Sequence, residues 1–233
     1  MIRALLTMDD ISSRNTPAIV DYLKEKKIPI LMFAWGENIE RYHEEALYVL
    51  KNGIILGNHS YTHPNFSEIS FEEGGKEIEK CEKVLDDLYK EAGVERLYRP
   101  FRFPYGNKGG ANKELYQKYL AEHGFHKVDD RDITYPWWKE SGLDKDIDTL
   151  WTFDFAEYNI RQGSGFTIDN VYGRMTDQNP ASGAVLFAPG GNHILLIHAH
   201  DETEELVPEY YRHILDKCLE KGVTFVAPEF IEN

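Results

Sequence analysis

The sequence predicts an α/β fold in which about seven parallel strands and their connecting helices form a distorted (β/α) barrel, closed or nearly closed. Short apolar runs alternate along the chain with charged segments of helical period, as they do in repeated βα units. The hydrophobic fraction of 42% and the aromatic fraction of 13% are sufficient for a substantial core. A length of 233 residues fits one domain over 1–233 better than two small ones.

The first half of the chain alternates regularly between strand and helix patterns. Its predicted elements are a strand over 2–8, a helix over 17–26, a strand over 29–34, a helix over 38–51, a strand over 54–56 and a helix over 71–91. Pro17 suits the first turn of a helix, where no backbone N–H is needed. Gly53 and Gly93 follow the second and third helices, as glycine commonly does just past a helix end.

The second half of the chain is less regular. Its predicted elements are a strand over 97–103, a helix over 113–123, a short strand from 124, a strand over 194–198, a helix over 208–221 and a strand over 223–226. Pro100 and Pro104 interrupt the first of these strands, because proline has no backbone N–H to donate. Residues 133–183 lack a clear period, and we expect them to form an insertion of loops and short elements.

Charge and composition exclude several classes of protein. A formal net charge of −14 disfavours binding to nucleic acid phosphates. No apolar run approaches the ~18 residues of a membrane span, and the apolar run after Met1 is too short for a signal peptide. We therefore expect a cytoplasmic protein with no membrane partner, or an exported one if the sequence has been trimmed. Cys81 and Cys218 have no CxxC spacing and are expected to be buried thiols.

Two adjacent carboxylates, Asp9 and Asp10, follow the first predicted strand. In barrels of this kind chemistry collects at the carboxyl ends of the strands. Buried carboxylates are costly without compensation, and a turn at the strand end would bring both into one pocket, where one binds a metal and the other acts as a base. The alternative is that an aspartate here caps the following helix.

Two histidines four residues apart, His59 and His63, follow the third predicted strand. A single helical turn would place both rings on one face, whereas Pro64 disfavours a longer helix. Mixed sets of histidine and carboxylate ligands suit zinc. The position at a strand end favours a metal site over the alternative, a polar loop with two solvated histidines.

Two further strand ends carry candidate groups. Arg102 precedes a Pro-Tyr-Gly turn at 104–106, where it is either a carboxylate-binding group or an ordinary surface arginine. His198 and His200 end the apolar strand at 194–198 and share one face of it. Either a general acid or a buried, hydrogen-bonded core histidine fits this position. If the strand register differs by two residues, His200 takes the role of His198.

In their order along the chain, these segments resemble the motifs of the polysaccharide deacetylase family (carbohydrate esterase family 4, the NodB-homology domain). The family patterns T-F-D-D, H-S/T-x-x-H, R-x-P-Y/F and L-x-H are matched by Thr7-Met8-Asp9-Asp10, His59-Ser60-Tyr61-Thr62-His63, Arg102-Phe103-Pro104-Tyr105 and Leu196-Ile197-His198. The matches run from residue 7 to residue 198, so the resemblance spans nearly the whole chain. It implies a single catalytic domain with the family's distorted barrel.

The family's fourth motif, D-x-x-D-W, is matched less well. Residues 129–132 supply both acids, but Ile133 stands where the tryptophan is expected. On this resemblance Asp129 is our choice for the carboxylate that supports the acid, with Asp130 and Asp132 as alternatives. The candidate replacements for the missing ring are Trp137 and Trp138.

The resemblance implies a hydrolase that removes an acetyl group from the nitrogen of an N-acetylated sugar or oligosaccharide. Asp10, His59 and His63 correspond to the family's ligands for a divalent metal, usually Zn²⁺, with Co²⁺ and Ni²⁺ as alternatives. Water held by the metal would be the nucleophile. A metal with open positions polarises an acyl oxygen and lowers the pKa of bound water.

The resemblance also implies the remaining roles. Asp9 corresponds to the general base, and Arg102 orients it. His198 corresponds to the acid that protonates the leaving amine, and Asp129 to the carboxylate that tunes this acid. The backbone N–H of Tyr105 would help to hold the oxyanion. Amide cleavage needs both a base and an acid, because an amine anion is a very poor leaving group.

Two other functions remain open at this stage. The same chemistry serves O-acetyl esters and small amides, and the missing signal peptide favours a soluble sugar or small amide over a wall polymer. A non-catalytic carbohydrate-binding homologue would use its aromatic rings without turnover, and the altered fourth motif is compatible with that. The presence of all proposed ligands and of both acid and base groups favours an enzyme.

Overall fold

Six parallel strands form the central sheet. The structure, a computed structural model, describes residues 1–231. The strands are β1 (Ile2–Ile11), β2 (Ile30–Ala34), β3 (Ile55–Asn58), β4 (Phe153–Asp154), β5 (Asn192–His198) and β6 (Val223–Phe225). Their order is β3-β2-β1-β5-β4, β6 pairs with the start of β1, and every pairing is parallel. The predicted α/β class is confirmed.

Helices pack against this sheet and enclose the main core. Those described within residues 1–231 are α1 (Thr16–Lys26), α2 (Gly36–Arg41), α3 (His43–Lys51), α4 (Phe71–Ala92), α5 (Lys113–Glu122), α6 (Pro136–Glu140), α7 (Ile168–Thr176), α8 (Asp201–Leu206) and α9 (Tyr210–Glu220). The largest apolar cluster joins β1, β2 and β5 to α1, α3, α4 and α9. None of these helices is both long enough and apolar enough to cross a membrane.

The longest helix, α4, fixes the end of β3. Its start is a capping box, in which the Ser70 hydroxyl accepts from the Glu73 backbone N–H at 3.2 Å while the Glu73 carboxylate accepts from Ser70 N–H at 2.9 Å. Asn58, the last residue of β3, donates from its side chain to the Ile78 carbonyl at 3.0 Å. The residues that follow β3 therefore leave the sheet from a fixed point.

The helix predicted over 38–51 is two helices, α2 and α3. The break lies at Tyr42, whose φ of −123° and ψ of 55° are not helical. The Ser12 hydroxyl, from the segment after β1, donates to the carbonyls of Asn38 and Tyr42 at 3.1 and 2.9 Å. A tertiary contact of this kind has no signature in the periodicity of the sequence.

The strand predicted over 97–103 is reduced to a single bridge between Asn58 and Phe101. Pro100 accepts from Asn58 N–H, and Arg102 N–H donates to the Asn58 carbonyl, at 2.9 and 3.0 Å. Pro100 and Pro104 cannot donate, so the ladder extends no further. The short strand predicted from 124 is likewise only a bridge, between Val128 and Phe230. Along residues 1–231 the path of paired strands is accordingly open between β3 and β4.

The segment 133–183, predicted as an insertion, contributes to the sheet itself. Its strand β4 pairs with β5 through Phe153 and Asp154. Helices α6 and α7 and short 3₁₀ turns over Leu143–Lys145 and Glu157–Asn159 complete its regular structure. The segment therefore reaches the carboxyl end of β5, where His198 lies.

Replacing Gly57 with Ala is expected to destabilise the protein by about 1–3 kcal/mol, because the added methyl group overpacks the core. The new carbon would lie 2.8 Å from the Pro100 carbonyl oxygen and 2.8 Å from the Phe33 ring. Gly75→Ala in α4 is the matched control, since that methyl group meets no atom within 4 Å and removes a helical glycine. Urea unfolding of both variants measures the difference, and equal stability of the two would contradict the packing described.

Candidate active site

A cavity of about 420 Å³ lies at the carboxyl ends of β1, β3 and β5. Its lining includes these residues predicted from the sequence: Asp9, Asp10, His59, His63, Tyr105 and His198. Arg102 is fully buried and contacts Asp9 from within the protein. Asp129 is the predicted site residue that the structure places elsewhere.

Asp9 and Asp10 both reach the cavity because the backbone of Asp10 is left-handed, with a φ of 64°. In a regular strand, neighbouring side chains point to opposite faces, and the change in φ turns Asp10 back beside Asp9. Aspartate is among the few residues other than glycine that adopt this conformation. The two side chains belong to residues that are only 2% and 9% exposed, so both charges need partners.

Arg102 is the partner of Asp9. Its Nη1 donates to Asp9 Oδ1 and to Thr7 Oγ1, both at 2.8 Å, and its Nε donates to the Thr149 carbonyl at 2.9 Å. The guanidinium also lies 4.4 Å from the centre of the Phe33 ring. A buried carboxylate is stable when a buried cation compensates it. Arg102 therefore holds Asp9 in place through one oxygen and leaves Oδ2 facing the cavity.

His59 and His63 converge on the other carboxylate. Their Nε2 atoms lie 3.8 and 3.4 Å from Asp10 Oδ1. His59 Nδ1 donates to the Arg102 carbonyl at 2.8 Å, which leaves the lone pair on Nε2. The turn that carries both histidines is held by Glu77 of α4, whose carboxylate accepts from two of its backbone N–H groups at 3.0 and 2.7 Å.

These three side chains fit a divalent metal. One ligand atom from each of Asp10, His59 and His63 lies within 4.8 Å of the others. Asp10 Oδ1 is buried without a hydrogen-bond partner, as expected of an oxygen whose partner is a cation. Burial and the neighbouring His59 lower the pKa of His63 to about 4, so its ring is neutral. Two imidazoles and a carboxylate are a suitable donor set for Zn²⁺.

Burial would by itself raise the pKa of Asp10, but its surroundings lower that pKa well below the ordinary value. The largest lowering contribution is the hydrogen bond from His200. Asp10 is therefore ionised throughout the neutral range. This is the state in which a carboxylate binds a cation.

Tyr105 lies in a tight turn at the rim of the cavity. The turn runs over Pro104–Gly106, and Tyr105 has a left-handed φ of 58°. Its ring is 67% exposed and stands edge-on to His63, with 4.7 Å between ring centres. The turn thus brings an aromatic surface beside the candidate metal ligand His63.

His198 is held by Glu157. One carboxylate oxygen of Glu157 accepts from His198 Nδ1 at 3.1 Å and from the His198 backbone N–H at 2.5 Å. Burial lowers the pKa of His198, but the charge of Glu157 and its hydrogen bond outweigh burial and raise this pKa to about 9. The ring is therefore protonated at neutral pH. Asp154 lies in the same cavity, where burial raises its pKa to about 6.

The expectation for Asp129 is corrected by this arrangement. Its carboxylate accepts from Arg131 Nε at 2.9 Å, and it lines a different cavity beside Arg3 near the start of β1. Arg3 is six residues before Asp9, the residue that pairs with His198, a separation of about 20 Å along a strand. Asp129 therefore does not contact the acid.

Asp130 and Asp132, the alternatives to Asp129, also bind other partners. Asp130 accepts from Lys127 and from the Trp138 indole N–H, both at 2.9 Å, and Asp132 pairs with Arg3 at 3.2 Å. Trp138 is buried in a separate apolar cluster, and Trp137 packs at its edge. None of these residues lines the cavity that holds His198.

The spacing of the family's fourth motif also occurs around Glu157. Asp154-Phe155-Ala156-Glu157-Tyr158 has the spacing of D-x-x-D-W, with Glu for the second Asp and Tyr for Trp. The Tyr158 ring lies 4.7 Å from that of His198, as a replacement for the expected tryptophan. The strand before it, β4, has only two residues, although Trp151, Phe153 and Phe155 alternate with polar residues in the sequence.

Comparison with known proteins gives a family and related sequences. A sequence model described as polysaccharide deacetylase matches residues 2–128. The chain is 35% identical over 103 residues to the peptidoglycan-N-acetylglucosamine deacetylase of Bacillus cereus, covering 43% of this chain and 35% of that protein. It is 29% identical over 181 residues to the peptidoglycan-N-acetylmuramic acid deacetylase PdaC of Bacillus subtilis, covering 74% and 36%. The chain spans about a third of the length of these curated relatives.

A solved structure has the same fold. The crystal structure of the Bc1960 peptidoglycan N-acetylglucosamine deacetylase superposes with a TM-score of 0.66 over 97% of this chain and 85% of that chain. The two sequences are 21% identical in this alignment. At that identity the likeness concerns the fold alone.

The assignment of Glu157 to His198 predicts a measurable titration. In metal-free protein, NMR titration of the His198 ring should give a pKa of about 9. Glu157→Gln should lower this pKa, because the largest charge that compensates burial is removed and only the weaker effects of Asp10 and Asp9 remain. Asp129→Asn is the matched control and should leave the titration unchanged. A lowered pKa of His198 in Asp129→Asn, or an unchanged pKa of His198 in Glu157→Gln, would contradict this assignment. Asp129 would then be the carboxylate that supports His198, as the sequence predicts.

Proposed function

This chain belongs to the polysaccharide deacetylase family, as its motifs predict, and from that premise we propose that it is a metal-dependent N-deacetylase of N-acetylated sugars or glycans. The observation that carries the proposal is the meeting, in one cavity, of a His₂/Asp donor set, a buried carboxylate and a protonated histidine. The named activities of the Bacillus relatives support an N-acetylated glycan as the substrate class.

Asp10, His59 and His63 would hold the metal. Zn²⁺ is our choice for a site of two imidazoles and one carboxylate, with Co²⁺ and Ni²⁺ as alternatives. When bound there, the metal would supply Lewis acidity toward the acyl oxygen and lower the pKa of water. The protein's contribution is to keep the ring of His63 neutral and the carboxylate of Asp10 ionised.

Asp9 would accept the proton from the attacking water at Oδ2. Its other oxygen is bound by Arg102 at 2.8 Å, so the carboxylate keeps one orientation. Asp9 Oδ2 lies 3.5 Å from His59 Nε2, beside the metal position. A base fixed next to the nucleophile contributes by proximity as well as by its basicity.

His198 would donate the Nε2 proton to the leaving nitrogen. Glu157 binds the opposite nitrogen of the ring, which fixes the ring and supports its charge. In the register of the sheet, His198 of β5 is opposite Asp9 of β1, so base and acid stand on neighbouring strands, about 5 Å apart at the backbone. The acyl carbon would lie between them.

Tyr105 and the aromatic rim would bind the substrate. The backbone N–H of Tyr105 is our candidate donor to the oxyanion, a contact that typically lowers the barrier by about 3 kcal/mol. Trp35, Tyr105, Trp151 and Tyr158 line the cavity. Their faces suit the apolar faces of a sugar ring.

The proposal predicts acetate release that depends on metal. Acetate release should be measured with N-acetylglucosamine oligomers, acetylated xylan and small linear or cyclic amides. Each substrate is tested with the protein as purified, after chelation, and after Zn²⁺ or Co²⁺ is added back. We expect acetate from the oligomers to fall at least about 100-fold on chelation and to return with metal. If the protein hydrolysed only the small amides, or only the acetylated xylan, the proposed substrate class would be wrong. Sugar binding without any product would indicate a non-catalytic homologue.

Replacing Asp9 with Asn should remove the base and spare the metal. We expect kcat to fall by about 10²–10⁴-fold, while Zn²⁺ affinity measured by chelator competition stays within a few-fold of wild type. Asp132→Asn, a carboxylate paired with Arg3 at the other end of β1, is the control and should keep full activity. Turnover by Asp9→Asn close to wild type would exclude Asp9 as the base.

A further inference from the structure

His200 contacts Asp10 on the side of the carboxylate that faces away from the metal position. Its Nε2 lies 2.5 Å from Asp10 Oδ2, whereas His59 and His63 face Oδ1. The group of ligand atoms that lie within 4.8 Å of one another contains Asp10, His59 and His63 but not His200. His200 therefore contacts a candidate ligand and not the candidate metal position.

Arg161 determines which nitrogen of His200 carries the proton. Its Nη2 lies 2.9 Å from His200 Nδ1. A guanidinium has donors and no acceptor, so Nδ1 must offer its lone pair. The ring proton is then on Nε2, from which it is donated to Asp10 Oδ2. A bond from this donor to a carboxylate is charge-assisted and correspondingly short.

Arg161 is itself held by the start of α8. Its Nη1 pairs with Glu202 at 2.8 Å, and the neighbouring Gln162 N–H donates to the same carboxylate at 3.0 Å. On the other side of α8, Asp201 accepts from the backbone and side chain of Arg14 at 3.0 and 2.9 Å. His200, which precedes α8, is thus fixed from two directions.

The position of His200 before α8 does not by itself explain these contacts. His200 occupies the N-cap position, but its side chain makes no capping hydrogen bond. The ring instead bridges Asp10 and Arg161. It also does not replace His198, since Glu157 binds His198 and not His200.

We propose that His200, kept in one tautomer by Arg161, is a positioning residue for Asp10. By occupying Oδ2 it fixes the rotation of the carboxylate and leaves Oδ1, the oxygen without a partner, as the single oxygen presented to the metal. Hydrogen-bonded outer partners orient metal ligands in this way, and a ligand ordered in advance loses less freedom on binding. The inference rests on the metal-dependent function proposed above.

The test is the Zn²⁺ affinity of metal-free protein, measured by competition with a chromogenic chelator, together with the Co²⁺ absorption spectrum. His200→Leu should weaken Zn²⁺ binding about 10–100-fold and change the Co²⁺ bands, because both oxygens of Asp10 become free. His200→Gln should stay within a few-fold of wild type and keep its spectrum, since the amide N–H can donate to Oδ2. Arg161→Met should weaken binding by less than His200→Leu.

Two matched variants serve as controls. His123→Leu changes an exposed ring that binds the Tyr119 carbonyl, and Arg131→Met changes an exposed arginine that pairs with Asp129. Both should bind Zn²⁺ as wild type does. If His200→Leu does not fold, Arg161→Met and His200→Gln carry the test, because Arg161 is 39% exposed and the glutamine keeps a donor.

The outcomes separate this inference from the proposed function. Wild-type protein that binds no metal would overturn both. One bound metal with equal affinity and equal spectra in all variants would overturn the positioning role alone. An equal loss in His200→Gln and His200→Leu would also overturn it, because a side chain that donates to Oδ2 should preserve the site.

Discussion

The carboxyl end of the sheet is organised by the burial of two adjacent carboxylates. Asp9 and Asp10 are 2% and 9% exposed, and such charges are tolerated in a protein interior only with partners at close range. The partners come from other segments of the chain: Arg102 binds Asp9, His200 binds Asp10, and His59 lies within 4 Å of both. The loops after β3 and β5 are therefore constrained by the same pair of charges.

Strand register and a few left-handed residues bring these partners together. Asp9 of β1 is opposite His198 of β5, so groups at the two strand ends meet at one level. Asp10 and His63 have φ values of 64° and 61°, a conformation that costs about 1 kcal/mol for a residue with a side chain. Such local strain persists where the surrounding structure holds the backbone in place. The hydrogen bonds that the Glu77 carboxylate accepts from backbone N–H groups of the turn after β3 are among the contacts that do so.

Groups that follow long apolar strands could be located from the sequence more readily than Glu157, the partner of His198. The pairs Asp9-Asp10 and His59–His63 stand next to runs whose period identifies a strand, and the parallel sheet brings their ends together. Glu157 follows a strand of two residues, whose brief alternation of Trp151, Phe153 and Phe155 lies in a segment of otherwise irregular pattern. Asp129 matched the expected spacing, but spacing carries no information on which end of the sheet a loop occupies. The open edge near Phe101 likewise depends on tertiary contacts.

The segment 133–183 is consequently part of the candidate active site and not an appendage to it. It supplies Glu157, which determines the charge of His198, and Arg161, which determines the tautomer of His200. It also supplies Tyr158, whose ring forms one wall of the cavity. Because Tyr158 directly follows Glu157, one wall of the cavity and the carboxylate that binds His198 belong to the same short turn after β4. Under the function proposed above, this turn would serve both substrate binding and proton transfer.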